Sequence, residues 1–289
     1  MALPKIIVTG SNGQLGYELK QLAQQYGQYQ FIFLDRQETP IEDQNKIREI
    51  ILKEKPSYFI NCAAYTAVDK AEEEVERSNE INGYAVGRIA LACKEAGTRF
   101  IHISTDYVFD GNSNIPLKES DAIGPINQYG RSKLLGEELT LKNNPDSIII
   151  RTSWVYSVSG KNFVHTMMRL MKEKKEISVV DDQIGSPTNA EDLAETIMKI
   201  IISEKWISGI YHFSNKGKIS WYEFANAIKE LIHSNCIIHP IPSEKFPTPA
   251  KRPKFSLLDK EKIQQVYNIQ LLDWKVSLEK CIRKIQSIN

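Results

Sequence analysis

The sequence has no Cys-x-x-Cys pair, no long apolar run and no excess of either charge. Its 289 residues include four cysteines and five histidines, all scattered, so we expect free thiols in a reducing cytoplasm and no zinc site. No apolar run approaches the roughly 20 residues that span a bilayer. The run Ile6-Ile7-Val8 is too short to be the apolar region of a signal peptide, so we expect no targeting segment. Because 37 Lys and Arg face 36 Asp and Glu, neither a nucleic acid nor a membrane surface is predicted as a partner.

Short apolar runs alternate with amphipathic segments through the first half of the chain. This alternation predicts an α/β fold with a doubly wound parallel sheet, in which residues 1–151 form a Rossmann core. The predicted strands are 5–9, 30–34, 58–61, 100–103 and 147–151. The predicted helices are 15–25, 44–53, 70–94 and 129–141, with a bend in the third near Asn82-Gly83.

The pattern loosens after about residue 152, which predicts a smaller mixed α/β lobe over 152–289. Part of 152–215 is expected to return to the core, so the two lobes interleave. The predicted elements are helices 162–172, 190–202, 221–231 and 274–285, with strands 177–180 and 209–213. The proline-rich stretch 240–253, between the last two helices, is expected to hold no long regular element.

A glycine-rich turn follows the first predicted strand and opens the first predicted helix. Glycines at 10, 13 and 16 suit a tight turn, close approach of a pyrophosphate and packing of helix on strand. The unpaired N–H groups of the helix then favour an anion. We therefore predict that a dinucleotide binds at Gly10, Asn12, Gly13, Gln14, Leu15 and Gly16.

The residues Asp35-Arg36 directly follow the second predicted strand, about 20 residues after the turn. A carboxylate there favours the ribose hydroxyls of NAD, whereas a guanidinium favours the 2′-phosphate of NADP. The arginine inclines the prediction towards NADP, and NAD stays open.

Tyr129 and Lys133 stand four residues apart on one face of a predicted helix. They follow the strand that ends in Ser104-Thr105-Asp106, and ligands bind at the carboxyl ends of strands in open α/β sheets. A phenol with a pKa near 10 is a reluctant acid, so we expect the Lys133 ammonium and the nicotinamide charge to lower the pKa of Tyr129. Tyr129 is the predicted general acid, and the Thr105 hydroxyl is expected to hold the substrate oxygen.

Several separate motifs together resemble the extended short-chain dehydrogenase/reductases, and more narrowly the dTDP-4-dehydrorhamnose reductases. The resemblance runs from Ile7 to Ser256. It is carried by 10–16, 61–72, 104–109, the pair Tyr129 and Lys133, 151–156, 185–188 and 252–256.

The resemblance implies NAD(P)H-dependent reduction of the C4 ketone of dTDP-4-dehydro-β-L-rhamnose, the last step of dTDP-L-rhamnose synthesis. Tyr129 would protonate the oxygen, Lys133 would hold the nicotinamide ribose, and Thr105 would complete the triad. By similarity the cofactor runs beside Ala63, Ala64, Tyr65 and Thr66, the sugar site is lined by Val68, Asp106 and Trp154, and Arg252 meets the diphosphate. Some members form dimers bridged by a metal through acidic residues. Those acids are not matched in this sequence, so a homodimer and magnesium stay open.

Two other functions fit the same fold. A sugar-nucleotide dehydratase or epimerase is one, but related dehydratases place an acid where Tyr107 follows Asp106 here. The other is a non-catalytic, NADP-binding regulatory subunit, like the relatives that accompany methionine adenosyltransferase. Such a subunit has no need of the Thr105, Tyr129 and Lys133 set that this sequence retains.

Overall fold

The computed structural model describes residues 3–203 and 205–288, and within these ranges the chain folds around a six-stranded parallel sheet. The strands are β1 (Lys5–Thr9), β2 (Gln30–Leu34), β3 (Tyr58–Asn61), β4 (Arg99–Thr105), β5 (Ile148–Thr152), β6 (Val155–Tyr156), β7 (Glu176–Val180), β8 (Ile184–Gly185), β9 (Thr188–Asn189), β10 (Gly209–Phe213), β11 (Ile219–Ser220) and β12 (Ile237–Ile241). The helices are α1 (Gln14–Leu22), α2 (Gln44–Glu54), α3 (Val68–Ala71), α4 (Val75–Asn79), α5 (Ala85–Ala96), α6 (Gln128–Asn143), α7 (Phe163–Glu173), α8 (Ala190–Ile202), α9 (Trp221–Leu231), α10 (Glu261–Tyr267) and α11 (Trp274–Ile288).

The strand order of the central sheet is β10-β5-β4-β3-β1-β2, with every neighbouring pair parallel. The chain runs from β1 outward to β2 and then back to β3 on the other side of β1. In sheets of this kind a crevice opens at the carboxyl ends of the strands where the order reverses. The predicted α/β fold with a parallel sheet is therefore confirmed.

Side chains alternate between the two faces of the sheet, as the period of a strand requires. Ile6 and Val8 point into the core beneath α1 and α8, whereas Ile7 packs with the apolar residues of α2 and α5 on the opposite face. Helices thus cover both faces of the sheet. Because both faces are buried, the strand sequences are nearly continuous apolar runs.

A separate apolar cluster lies among elements that follow residue 152. It includes Tyr156, Val164, Phe224 and Leu278, which come from β6, α7, α9 and α11. Strand β10, by contrast, pairs with β5 in the central sheet. The division into lobes at residue 152 remains a prediction.

Strands β6, β8, β9, β11 and β12 were not predicted, and two helical features also differ from the predicted elements. The long predicted helix is divided into α3, α4 and α5, with a π-helical turn at Glu80–Tyr84 that includes Asn82 and Gly83, where a bend or break was predicted. Helix α10 was not predicted and lies between the proline-rich stretch and α11. Its seven residues are too few to display a clear apolar period, and Asn268 ends it in the left-handed region.

Candidate active site

A cleft of about 650 Å³ opens at the carboxyl edge of the sheet, where residues that follow β1, β3, β4 and β5 meet. Most of the residues singled out from the sequence line it. They are Gly10, Asn12, Gly13, Gln14, Leu15, Arg36, Ala63, Ala64, Thr66, Val68, Thr105, Asp106, Tyr129, Lys133 and Trp154. Gly16, Asp35, Tyr65 and Arg252 are not among the lining residues.

The glycine-rich turn brings bare backbone to the cleft. Gly10 has a φ of +67°, and a Cβ there would lie 2.6 Å from the backbone nitrogen of Ala63. Gly16 is covered by the turn itself, since its Cβ would lie 2.3 Å from the Gly10 carbonyl oxygen. Helix α1 begins after Gly13 without a side-chain cap, which leaves its first N–H groups free for an anion. The turn therefore fits the pyrophosphate of a dinucleotide.

Asp35 and Arg36 face different surroundings at the end of β2. The Asp35 carboxylate accepts hydrogen bonds from the Glu38 backbone N–H at 2.8 Å and from Asn12 Nδ2 at 3.1 Å. The backbone bond from Glu38 is the main reason that the pKa of Asp35 is lowered. Arg36, and not Asp35, lines the cleft. Of these two charged groups, the guanidinium is therefore the one that a ligand in the cleft can contact.

The loop of Ala63 to Thr66 is held by a single buried amide. Asn82, in the π-helical turn, accepts the Tyr65 N–H at 2.8 Å and donates to the Tyr65 carbonyl at 3.0 Å. Asn82 also donates to the Ser132 hydroxyl of α6 at 2.9 Å. Tyr65 itself is buried in the core beneath α5 and so positions the loop from outside the cleft. Sequence reasoning missed Asn82 as a site residue.

Helix α6 presents Tyr129 from its first turn. Asn127 caps the helix by accepting the Gly130 N–H at 2.8 Å. A Cβ on Gly130 would lie only 2.2 Å from the Tyr107 carbonyl oxygen, so the close approach of this turn to Tyr107 requires glycine. The rings of Tyr107 and Tyr129 then meet edge to face, 5.6 Å apart.

The pKa of Tyr129 is raised to about 12, and the prediction that it is lowered is wrong for the protein chain. Burial is the main cause, Asp106 adds to it, and the Thr105 hydroxyl opposes it by a hydrogen bond to the phenol. The Nζ of Lys133 donates to the Ile103 carbonyl oxygen at 2.6 Å. Tyr129 is accordingly a protonated acid at neutral pH.

Lys133 and Asp106 are also shifted by burial. Only 2% of Lys133 is exposed, and burial lowers its pKa to about 8 against the opposing charge of Glu137. Burial raises the pKa of Asp106 to about 6, although it accepts a hydrogen bond from Thr105 Oγ1 at 3.0 Å. A cleft wall with several perturbed groups is typical of a catalytic site.

Trp154 forms one wall of the cleft in an unusual backbone conformation. Its φ is +48°, and its ring stacks on Trp221 of α9 with centroids 3.7 Å apart. Gly185 allows this placement, since a Cβ there would lie 2.9 Å from the Trp154 ring. Trp221 and Lys161 also line the cleft. Sequence reasoning missed both, because they come from segments far along the chain from the glycine-rich turn.

Arg252 is held by Asp69 at the edge of α3. Its Nη1 and Nη2 donate to the two carboxylate oxygens at 2.9 and 2.8 Å. This bond and burial of the carboxyl oppose one another, and the net pKa of Asp69 is lowered. Contact of Arg252 with a diphosphate remains a prediction.

Over residues 3–203 and 205–288, His, Cys, Asp and Glu side chains form no group of three or more that could hold a metal ion. Over the same residues, no helix has both the length and the apolar character needed to cross a membrane. The four cysteines are free thiols.

Comparison with known proteins places these features in a family. The model of the RmlD substrate binding domain matches residues 4–287. A dTDP-4-dehydrorhamnose reductase of Burkholderia thailandensis is 39% identical over 300 aligned residues, which cover 98% of this chain and 99% of that protein. The spore coat polysaccharide biosynthesis protein SpsK of Bacillus subtilis is 41% identical and is covered over 99% of both chains. A solved dTDP-4-dehydrorhamnose reductase of Bacillus anthracis in complex with NADP is 37% identical, with a TM-score of 0.94 over 98% of this chain and 100% of that one.

Proposed function

This chain belongs to the dTDP-4-dehydrorhamnose reductase family, and from that premise we propose that it reduces a nucleotide-sugar ketone with NADPH. The substrate is dTDP-4-dehydro-β-L-rhamnose, and the product is dTDP-β-L-rhamnose. The reaction is the last step in the synthesis of dTDP-L-rhamnose, a precursor for polysaccharides.

The observation that carries this proposal is the meeting of two groups of residues in one cleft. The glycine-rich turn lines this cleft, and so do Thr105, Tyr129 and Lys133. The residue after Asp106 is Tyr107, whose side chain cannot serve as the carboxylic acid of a dehydratase. The presence of Thr105, Tyr129 and Lys133 in the cleft also argues against a protein that binds the cofactor without catalysing a reaction.

A bound nicotinamide dinucleotide supplies the hydride. Tyr129 donates its proton to the ketone oxygen as the carbonyl carbon is reduced, and its raised pKa keeps that proton in place until then. Thr105 holds the same ketone oxygen by donating its one hydroxyl proton, which the Asp106 carboxylate accepts in the structure. Lys133 brings an ammonium to the cleft, where it binds ribose hydroxyls and balances the negative charge left on Tyr129.

The sugar is held by further residues that line the same cleft. Trp154 presents an aromatic face that is fixed by its stack on Trp221. Val68 supplies an apolar contact and Asp106 a carboxylate for sugar hydroxyls. Lys161 and Arg252 are the cations proposed for the diphosphate, with Lys161 lining the cleft.

NADP is the proposed preferred cofactor, with NAD as a weaker substitute. Asp35 uses both carboxylate oxygens within the protein, whereas the guanidinium of Arg36 is presented to the cleft. A guanidinium pairs well with the 2′-phosphate.

The proposed compartment is the cytoplasm, and the choice between a monomer and a homodimer stays open. Free thiols at all four cysteines support a reducing compartment. Light scattering during gel filtration measures the assembly directly.

The experiment that tests the function is NADPH oxidation with dTDP-4-dehydrorhamnose and with other nucleotide ketosugars. We expect consumption of NADPH with the first, and a rhamnose product with the C4 hydroxyl newly formed. Binding of NADPH without consumption by any ketosugar contradicts the proposal and favours a regulatory protein.

A further inference from the structure

A row of four buried polar side chains crosses the sheet beneath the cleft. Thr9, Asn61 and His102 lie on the neighbouring strands β1, β3 and β4, and the backbone register pairs Thr9 with Asn61 and Asn61 with His102. Lys133 of α6 completes this polar row. None of the four residues is more than 2% exposed. Buried parallel strands are normally apolar. Four buried polar side chains in a row therefore indicate a functional role.

The polar row connects the glycine-rich turn to the catalytic ammonium. Thr9, which precedes the turn, donates through Oγ1 to Asn61 Oδ1 at 2.7 Å. Asn61 Nδ2 lies 3.1 Å from His102 Nδ1. His102 Nε2 lies 3.4 Å from Lys133 Nζ, which also donates to the Ile103 carbonyl oxygen. Each member therefore contacts the next.

His102 is a neutral imidazole in this position. Burial and then the charge of Lys133 lower the pKa of His102 well below its usual range. A neutral ring has one nitrogen that donates and one that accepts, whereas an ammonium only donates. Opposite the Lys133 ammonium, Nε2 must therefore accept, and Nδ1 must carry the ring proton.

The side-chain amide of Asn61 can accept the hydrogen bond from His102 Nδ1. Its oxygen and nitrogen ends have nearly the same shape, so the amide can turn over in the same space. Asn61 Oδ1 then accepts from His102 Nδ1, and Asn61 Nδ2 donates to Thr9 Oγ1. Every member of the polar row has a partner in this arrangement, and Lys133 has a fixed acceptor.

We propose that His102 is a positioning residue, which accepts a hydrogen bond from Lys133 through Nε2 and fixes the ammonium beneath the reacting groups. This inference rests on the proposed reduction, in which Lys133 must hold one place relative to Tyr129. The carboxylate of Glu137 also attracts the Lys133 ammonium. The acceptor on His102 keeps the ammonium from turning towards that carboxylate.

The matched variants His102→Gln and His102→Asn test the proposal. Glutamine is long enough to put an acceptor where Nε2 lies, whereas asparagine puts a polar atom only where Nδ1 lies. We expect His102→Gln to retain kcat within about threefold and His102→Asn to lose about 10- to 100-fold, the range of one hydrogen bond to a charged group. NADPH binding and Tm, measured for both variants, show whether a lower kcat comes from the lost hydrogen bond or from a loss of folding. Equal kcat values in two folded variants contradict the proposal.

A second readout needs no substrate. In ¹⁵N NMR spectra of the imidazole, we expect the wild-type protein to show a neutral His102 with its proton on Nδ1. Lys133→Met should move the Nε2 resonance by removing the donor. A proton on Nε2 in the wild-type protein overturns the assignment, whatever the enzyme reduces. Failure of the proposed function appears instead as wild-type protein that oxidises no NADPH with any ketosugar.

Discussion

Arg151 and Glu137 form a buried ion pair directly below the cleft, with 2.7 Å between Nη2 and Oε2 and 2% of each side chain exposed. Arg151 Nε donates to the same carboxylate at 2.9 Å, and the Ser104 hydroxyl also donates to it. The guanidinium carbon lies 5.2 Å from the centre of the Phe109 ring. The pair thus joins β5 to α6, the helix that carries Tyr129 and Lys133.

Breaking this pair from one side should destabilise the protein. Glu137→Gln leaves the buried guanidinium without a counter-charge, and we expect the free energy of unfolding in urea to fall by about 3–5 kcal/mol. The double variant Glu137→Leu with Arg151→Met removes both charges and should recover most of that loss. A single variant within about 1 kcal/mol of wild type would show that the pair does not support the fold.

The rate of reduction should fall at alkaline pH because of Lys133. Its pKa of about 8 means that the ammonium is present below that pH and is lost as the pH rises through it. Tyr129, with a pKa of about 12, stays protonated over the same range and does not limit the rate. We expect kcat/KM to fall about tenfold per pH unit above the Lys133 pKa. A profile that stays flat to about pH 10, with the fold intact by circular dichroism, contradicts this assignment.

Gly130 should tolerate no side chain. In Gly130→Ala the new Cβ would lie 2.2 Å from the Tyr107 carbonyl oxygen, so the first turn of α6 must move and take Tyr129 with it. We expect kcat to fall by at least about 100-fold, since small displacements of reacting groups are costly. Gly27→Ala is the matched control, because its Cβ would meet no atom within 4 Å. Similar kcat values in the two variants would mean that the close contact at Gly130 is unimportant.

Arg36 should distinguish the two cofactors. Replacing it with leucine removes the cation that lines the cleft near the end of β2. We expect the KM for NADPH to rise about 10- to 100-fold, the scale of a charge-assisted hydrogen bond to phosphate. NADH lacks the 2′-phosphate and serves as the internal control, with a change below about threefold. Parallel changes for both cofactors count against a phosphate contact.

The sheet and the reactive pair were accessible from sequence because both depend on local patterns. Strands β1, β2 and β3 match the predicted bounds, since each is a short apolar run between turn residues. The spacing of Tyr129 and Lys133 on one helix is local in the same way.

The remaining site features depend on contacts between distant segments. Trp221 reaches Trp154 only after α9 packs beside the cleft, and Arg252 meets Asp69 across most of the chain. The pKa of Tyr129 depends on burial, which residue spacing does not report. In the sequence, His102 is one polar residue in an apolar strand. Its position beside Asn61 depends on the pairing of β3 with β4.

The central claim is that the Tyr129 hydroxyl delivers the proton to the ketone, and Tyr129→Phe tests it most directly. The variant removes one oxygen and keeps the ring that packs against Tyr107. We expect NADPH to bind within about threefold of the wild-type Kd, while kcat with dTDP-4-dehydrorhamnose falls by about 10²- to 10⁴-fold. Wild-type turnover in Tyr129→Phe would contradict the account.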